Sequence, residues 1–285
     1  MAKIKDPMHG ADVTMETVDG KELRVARWRF DAGLDLPPLL FFNGIGANME
    51  AVAPFAEMLT ERPFITLDMP GVGGSPDTLV PYNAVWMSRI VNNILNDYDV
   101  GEADVMGVSW GGAMAQHFTL QNSARVRKLI LAATTAGMFM VPGKMSALTK
   151  MANPRRYIDP DYMNENFATL YGGNTDGKKG HSSRLTPPSR LGYLYQLLAF
   201  AGWTSAPFLP MMNKETLIMM GGEDNIVRPI NGTILETLIP NSKMHLIEDG
   251  GHLFLLSHLD ECLEAIRQHL DGPPRHEKMP TEEAA

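Results

Sequence analysis

The stretch Val105-Met106-Gly107-Val108-Ser109-Trp110-Gly111-Gly112 constrains this chain more than any other. Short apolar residues run into a Gly-x-Ser-x-Gly pentapeptide, and Ala113-Met114-Ala115-Gln116-His117-Phe118 follows it. This order reads as a strand that turns sharply into a helix, with the serine on the turn in a strained backbone conformation. Side chains at positions 107 and 111 would collide with the neighbouring strand and helix, so glycine stands at both. The turn lifts the Ser109 hydroxyl above the sheet. The pentapeptide alone also describes a glycine-rich turn with no chemistry; the strand before it and the helix after it give it a catalytic reading.

The rest of the chain supplies the sheet that such a turn needs. Residues 13–18 and 23–30 read as two strands joined at Asp19-Gly20, a strong hairpin signal. Leu39-Leu40-Phe41-Phe42 is a continuous apolar run, as in a strand buried on both faces, and Asn48 stands where it would cap a helix reaching about position 60. A strand at 64–68, a helix at about 85–98 with an apolar stripe, the Ser109 unit and a strand at 128–133 follow. Alternation of this kind implies a mostly parallel sheet with helices on both faces. From 134 to 210 the rhythm breaks into Met, Tyr, Pro and Gly. It returns with a strand at 216–220, a helix at 230–238, a strand at 243–247 and a helix at 259–270. The expected class is therefore α/β. A core of residues 12–133 and 211–271 carries a helical cap inserted at 134–210, and residues 1–11 and 272–285 are disordered tails.

Charge and composition narrow the function. The chain has 285 residues and a net charge of −8, which argues against a nucleic-acid partner. The short basic runs at Arg125, Arg127 and Lys128 and at Arg155-Arg156 read as solvated patches. The loop Met69-Pro70-Gly71-Val72-Gly73-Gly74-Ser75 lacks the Gly-Lys-Ser/Thr ending of a phosphate loop. Cys262 is the only cysteine, so no intrachain disulfide forms, which is compatible with a reducing compartment. No secretory leader and no bilayer-spanning apolar run are seen, and the expectation is a soluble, cytoplasmic protein. No His, Cys and carboxylate cluster has metal-ligand spacing, and no cofactor is expected.

A serine hydroxyl is a weak nucleophile unless a base lies within hydrogen-bond reach and an acid fixes that base's tautomer. The α/β-hydrolase scaffold orders these as Ser, Asp, His along the chain, with the acid after a late strand and the histidine after the last. Glu223 and Asp224 compete for the acid; Asp224, followed by Asn225-Ile226-Val227, has the better setting. His252 lies in the glycine-flanked turn past the last strand. His245 sits within that strand, His117 on the helix after Ser109, and His258 and His269 at or on the last helix. The two oxyanion-binding amides fall to Ile45, in the loop after the 39–42 strand, and Trp110.

Several segments narrow the resemblance. Phe42-Asn43-Gly44-Ile45-Gly46-Ala47-Asn48, Asp68-Met69-Pro70-Gly71-Val72-Gly73-Gly74-Ser75 and Gly107-Val108-Ser109-Trp110-Gly111-Gly112 resemble the intracellular depolymerases of medium-chain-length polyhydroxyalkanoates. So do Ala132-Ala133-Thr134-Thr135-Ala136-Gly137, Val141-Pro142-Gly143-Lys144, Pro154-Arg155-Arg156-Tyr157, Gly202-Trp203-Thr204-Ser205 and Gly251-His252-Leu253-Phe254-Leu255. The cap segments are the specific ones, because many hydrolases share the core motifs. One departure is Asn225, where the family often has proline. The resemblance implies a serine hydrolase that cleaves polyester stored in cytoplasmic granules to 3-hydroxyacids through an acyl-enzyme on Ser109, without a cofactor and in contact with the hydrophobic granule surface. The cap's large apolar residues fit such a substrate. Met138, Phe139, Met140 and Trp203 are its candidate binding residues, although any one of them also serves to pack cap on core. Rival readings are a capped esterase, carbon–carbon hydrolase or perhydrolase for a small molecule, and a granule-binding protein without catalysis. Epoxide hydrolases and dehalogenases of this fold normally place aspartate where Ser109 stands.

Overall fold

The computed structural model describes residues 8–138, 140–151, 153, 155, 160–173 and 184–272. Strands β1 (Ala11–Val18) and β2 (Lys21–Trp28) form the hairpin. Asp19 and Gly20 have φ of 51° and 71°, positive at both turn positions as a two-residue hairpin requires. Strand β3 (Leu39–Phe42), helix α1 (Ala53–Met58), β4 (Phe64–Leu67), α2 (Ala84–Asp97), β5 (Ala103–Val108), α3 (Trp110–Gln121) and β6 (Val126–Ala132) follow. Helices α4 (Met145–Met151), α5 (Pro160–Tyr171) and α6 (Arg190–Ala199) occupy the segment before β7 (Glu215–Gly221). The chain closes with α7 (Ile230–Leu238), β8 (Ser242–Ile247), a short α8 (Phe254–Ser257) and α9 (Leu259–Asp271).

The eight strands make one sheet in the order β1-β2-β4-β3-β5-β6-β7-β8. β2 pairs antiparallel with β1 and β4, and every pairing from β4 onward is parallel. Successive strand residues face opposite sides, so each strand feeds two cores. Leu40, Phe42 and Val105 pack with Ile90, Ile94 and Phe118 from α2 and α3. Phe41, Met106 and Ile130 pack on the other face with Phe55, Leu263 and Ile266 from α1 and α9. That is why β3 reads as an unbroken apolar run.

Two local expectations change. Met8 to Gly10, placed with the N-terminal tail by composition, turn into β1, and the Met8 side chain is buried beside Trp28; residues 1–7 and 273–285 lie outside the described residues. Asn48 starts a 3-10 turn and caps nothing with its side chain. Its amide instead spans to the segment before α6, donating to Arg184 O (3.1 Å) and accepting from Thr186 N (3.0 Å).

At the strand ends remote from Ser109, fully buried Arg62 bonds Asp104 at 2.7 Å. Arg127 supplies two further bonds to the same carboxylate, and Asp271 bonds the outer side of Arg62. Removing one partner of a buried pair strands the other charge, at a cost of about 3–5 kcal/mol. Asp104→Ala is therefore expected to lower unfolding free energy in urea titrations by about that amount.

Candidate active site

Ser109 has φ 56° and ψ −119°, a strained conformation for a residue with a side chain. Its neighbours hold it there. The Ser109 amide donates to Ala132 O (2.9 Å), and its carbonyl accepts from Thr134 Oγ1 (2.8 Å). The flanking glycines let α3 descend onto the sheet: a Cβ on Gly107 would overlap the Gly111 carbonyl, and one on Gly111 would overlap the Phe42 carbonyl. The hydroxyl-bearing turn thus stands at the carboxyl ends of β3 and β5, where open parallel sheets form their sites.

Asp224 follows β7 and is 3% exposed. Its Oδ1 accepts from the amides of Ile226 (2.7 Å) and Val227 (2.9 Å), and its Oδ2 lies 2.7 Å from His252 Nδ1. Because a carboxylate only accepts, this bond keeps the proton on Nδ1 and leaves the lone pair on Nε2. Glu223 is exposed. Four other histidines are engaged elsewhere: His117 Nδ1 accepts from Trp203 Nε1 (3.3 Å), His245 meets Glu261, His258 meets Asp249, and His269 reaches Leu129 O. Burial lowers the His117 imidazole below its ordinary range, against the opposing bond to Gln121.

One helix end secures both the acid turn and the histidine loop. The His252 amide donates to Tyr171 O (2.7 Å), and the Tyr171 ring stacks on the imidazole with centroids 6.4 Å apart. Asn225 Nδ2 donates to Thr169 O (3.1 Å), a carbonyl at the last turn of α5, and shares Ala168 O (3.3 Å) with the Gly172 amide. These bonds give Asn225 a structural use.

Ser109 and His252 line one cavity of about 290 Å³. They make no hydrogen bond to each other among the described residues; such bonds commonly close only in the substrate complex. Ile45 also lines the cavity. Its walls are apolar, with Phe41, Val52 and Phe55 on the sheet side, Met151 and Met163 from α4 and α5, and Leu255 from α8. Met138, Met140 and Trp203 do not line it, and Phe139 lies outside the described residues. The reason is long-range pairing: Met138 N bonds Trp203 O (3.0 Å), beside the bridge between Gly137 and Thr204, and Trp203 turns its indole toward His117. Met151 and Met163 carry no periodic signal that separates wall from packing. Among the described residues no three His, Cys, Asp or Glu side chains are grouped as metal ligands.

The turn Gly44-Ile45-Gly46-Ala47 is closed by Ala47 N to Gly44 O (3.2 Å). Gln196 of α6, 1% exposed, accepts from Gly46 N through Oε1 (2.8 Å), and its backbone carbonyl accepts from Trp110 Nε1 (2.8 Å). Sequence reasoning missed Gln196, although it is the one amide side chain in an otherwise apolar and aromatic stretch from Leu191 to Phe200.

Comparison with known proteins agrees with this architecture. Residues 37–172 match the family model described as alpha/beta hydrolase fold. A poly(3-hydroxyalkanoate) depolymerase of Ectopseudomonas oleovorans is 41% identical over 240 residues, covering 82% of this chain and 84% of that one. A 2-hydroxymuconate semialdehyde hydrolase of Pseudomonas putida is 25% identical, covering 88% of this chain and 94% of its own. Among solved structures, an esterase from Exiguobacterium antarcticum superposes with a TM-score of 0.77 at 20% identity, covering 90% of this chain and 98% of that one. The enol-lactonase from Burkholderia xenovorans LB400 gives a TM-score of 0.74 at 18% identity, covering 90% of this chain and all of that one.

The close seat of α3 can be tested directly. Gly107→Ala is expected to lower stability in chemical denaturation by about 1–3 kcal/mol, the range for overpacking. Gly101→Ala, where a Cβ meets nothing within 4 Å, should stay within about 0.5 kcal/mol of wild type.

Proposed function

The chain belongs to the poly(3-hydroxyalkanoate) depolymerase family of the α/β hydrolases, and on that premise we propose that it cleaves medium-chain-length poly(3-hydroxyalkanoate) to 3-hydroxyacids through an acyl-enzyme on Ser109. It is an ester-hydrolysing enzyme. The observation that carries the residue roles is the Asp224–His252 pair, 2.7 Å apart, opening on the same apolar cavity as Ser109.

In this reading His252 Nε2 takes the hydroxyl proton as Ser109 Oγ attacks the ester carbonyl. Asp224 holds the tautomer and offsets the charge that develops on the imidazole. The amides of Ile45 and Trp110 donate to the oxyanion, each such donor being worth about 3–4 kcal/mol of transition-state stabilisation. The intermediate collapses, His252 returns the proton to the departing hydroxyl of the polymer, and a water activated by the same imidazole releases the 3-hydroxyacid. The alkyl side chain of the 3-hydroxyacyl unit lies against Phe55, Met151 and Met163. Residues 134–210 act as the cap. Contact with the granule is supported by α6, which leaves Leu191, Leu194, Leu197 and Leu198 46–48% exposed on its outer face. The expected setting is cytoplasmic storage granules; no helix among the described residues is long and apolar enough to cross a membrane.

Purified protein is expected to release 3-hydroxyacids from amorphous medium-chain granules, and Ser109→Ala to release none. Cleavage of a short p-nitrophenyl ester without release from granules would move the substrate to a small molecule. Asp224→Asn, which keeps an oxygen for the Ile226 and Val227 amides, is expected to fold and to lower kcat by about 10⁴, the loss expected when the acid no longer selects the tautomer.

A further inference from the structure

We propose that Gln196 is a positioning residue that holds both oxyanion amides in register from helix α6, an inference that rests on the roles given above to Ile45 and Trp110. The two amides come from loops far apart in the chain, and one residue of the inserted segment touches the backbone of one loop and the side chain of the other. Its Oε1 takes the Gly46 amide, and its carbonyl takes the Trp110 indole, each at 2.8 Å. The first bond orients the peptide plane between Ile45 and Gly46. Together with the 3.2 Å closure of the 44–47 turn, it sets the direction of the Ile45 N–H, which belongs to the preceding plane of that turn. The second bond anchors the residue whose own amide is the other donor, and the Phe200 ring packs edge-on against the Trp110 ring at 5.0 Å.

The helix that carries Gln196 is itself fixed. Ser189, at its N-cap, accepts from Gly192 N (2.8 Å), donates its own amide to Gly71 O (2.8 Å) and bonds Asp77 through its hydroxyl. The glycine-rich loop that does not fit a phosphate is thereby the socket for α6. A polar side chain buried in an apolar helix costs stability unless its bonds are made, and leucine or methionine would fill the same volume. Glutamine at 196 supplies what they lack, an acceptor for an amide beside the oxyanion site.

The test uses Gln196→Met, which keeps shape and removes the acceptor, Gln196→Glu, which keeps an acceptor oxygen, and Gln196→Asn, which is polar but one methylene short. Each is assayed on p-nitrophenyl butyrate, with active sites counted by end-point fluorophosphonate labelling and the thermal midpoint recorded. Losing an oxyanion donor outright costs about 10²–10³ in kcat, so a misdirected one is expected to cost about tenfold or more in Gln196→Met and Gln196→Asn, with KM changed less than about twofold. Affinity for a boronic acid, whose adduct with serine is tetrahedral, should fall by a similar factor, and Gln196→Glu should recover most of kcat. Where the methionine variant fails to unfold cooperatively, the asparagine variant carries the comparison. Unchanged kcat per active site, a loss confined to KM or thermal midpoint, or a glutamate variant as slow as the methionine one overturns the proposal. A wild-type protein that hydrolyses no ester overturns instead the function on which it rests.

Discussion

How closely a helix can approach a strand decides where the chemistry of this protein can stand. At the start of α3 the separation is that of backbone against backbone: Gly111 lies on the Phe42 carbonyl, and Gly107 on the Gly111 carbonyl. Any side chain there would lift the helix and lower Ser109 back toward the sheet. The positive φ of Ser109 is the strain this contact imposes, and bonds from Ala132 and Thr134 on the neighbouring strand and loop hold it. The serine is displayed because parallel strands β3, β5 and β6 meet under it, so the local motif and the sheet order are one constraint.

The opposite wall is organised by the C-terminal turn of α5. Its last carbonyls receive Asn225 on one side and the His252 amide on the other, and its Tyr171 ring stacks on the imidazole. The acid turn after β7 and the histidine loop after β8 are therefore referenced to the same helix end as well as to each other. The approach is again backbone on backbone, since a Cβ on Gly173 would overlap the Gly251 nitrogen. The segment between β6 and β7 thus ties separate loops of the sheet together: α5 holds the Asp224 turn and the His252 loop, and α6 the 44–46 and 109–110 turns.

Much of the fold was legible because its determinants are local. Asp19-Gly20 dictates a two-residue hairpin, Leu39 to Phe42 can only be a strand covered on both faces, and helix Ile230–Leu238 begins and ends where its apolar pattern does. Chain order and local setting drew attention to Asp224 and His252, which the structure brings into hydrogen-bond contact. The inserted segment was opaque beyond its helical character. Met138 and Met151 look alike in sequence, yet one is 62% exposed and the other walls the cavity, because long-range pairing with Trp203 turns the first away. Asn48 was misjudged for a related reason: a residue at a helix start has a local role by default, and only the fold brings residues 184–186 close enough to claim its side chain. Gln196 left a trace, a buried amide in an apolar helix, whose meaning depends on a turn 150 residues away.

The cavity walls divide into two kinds when viewed by an engineer who wants to enlarge or reshape them. Met151 and Leu255 line the cavity, and among the described residues their side chains make no hydrogen bond to the histidine loop or to the 44–46 and 109–110 turns. Tyr171 and Met163, joined by a bond from the Tyr171 hydroxyl to Met163 Sδ (3.8 Å), couple any redesign to the seat of His252. The shape of the cavity can therefore be varied at the first pair with the His252 loop left in place, whereas a change at the second pair moves both.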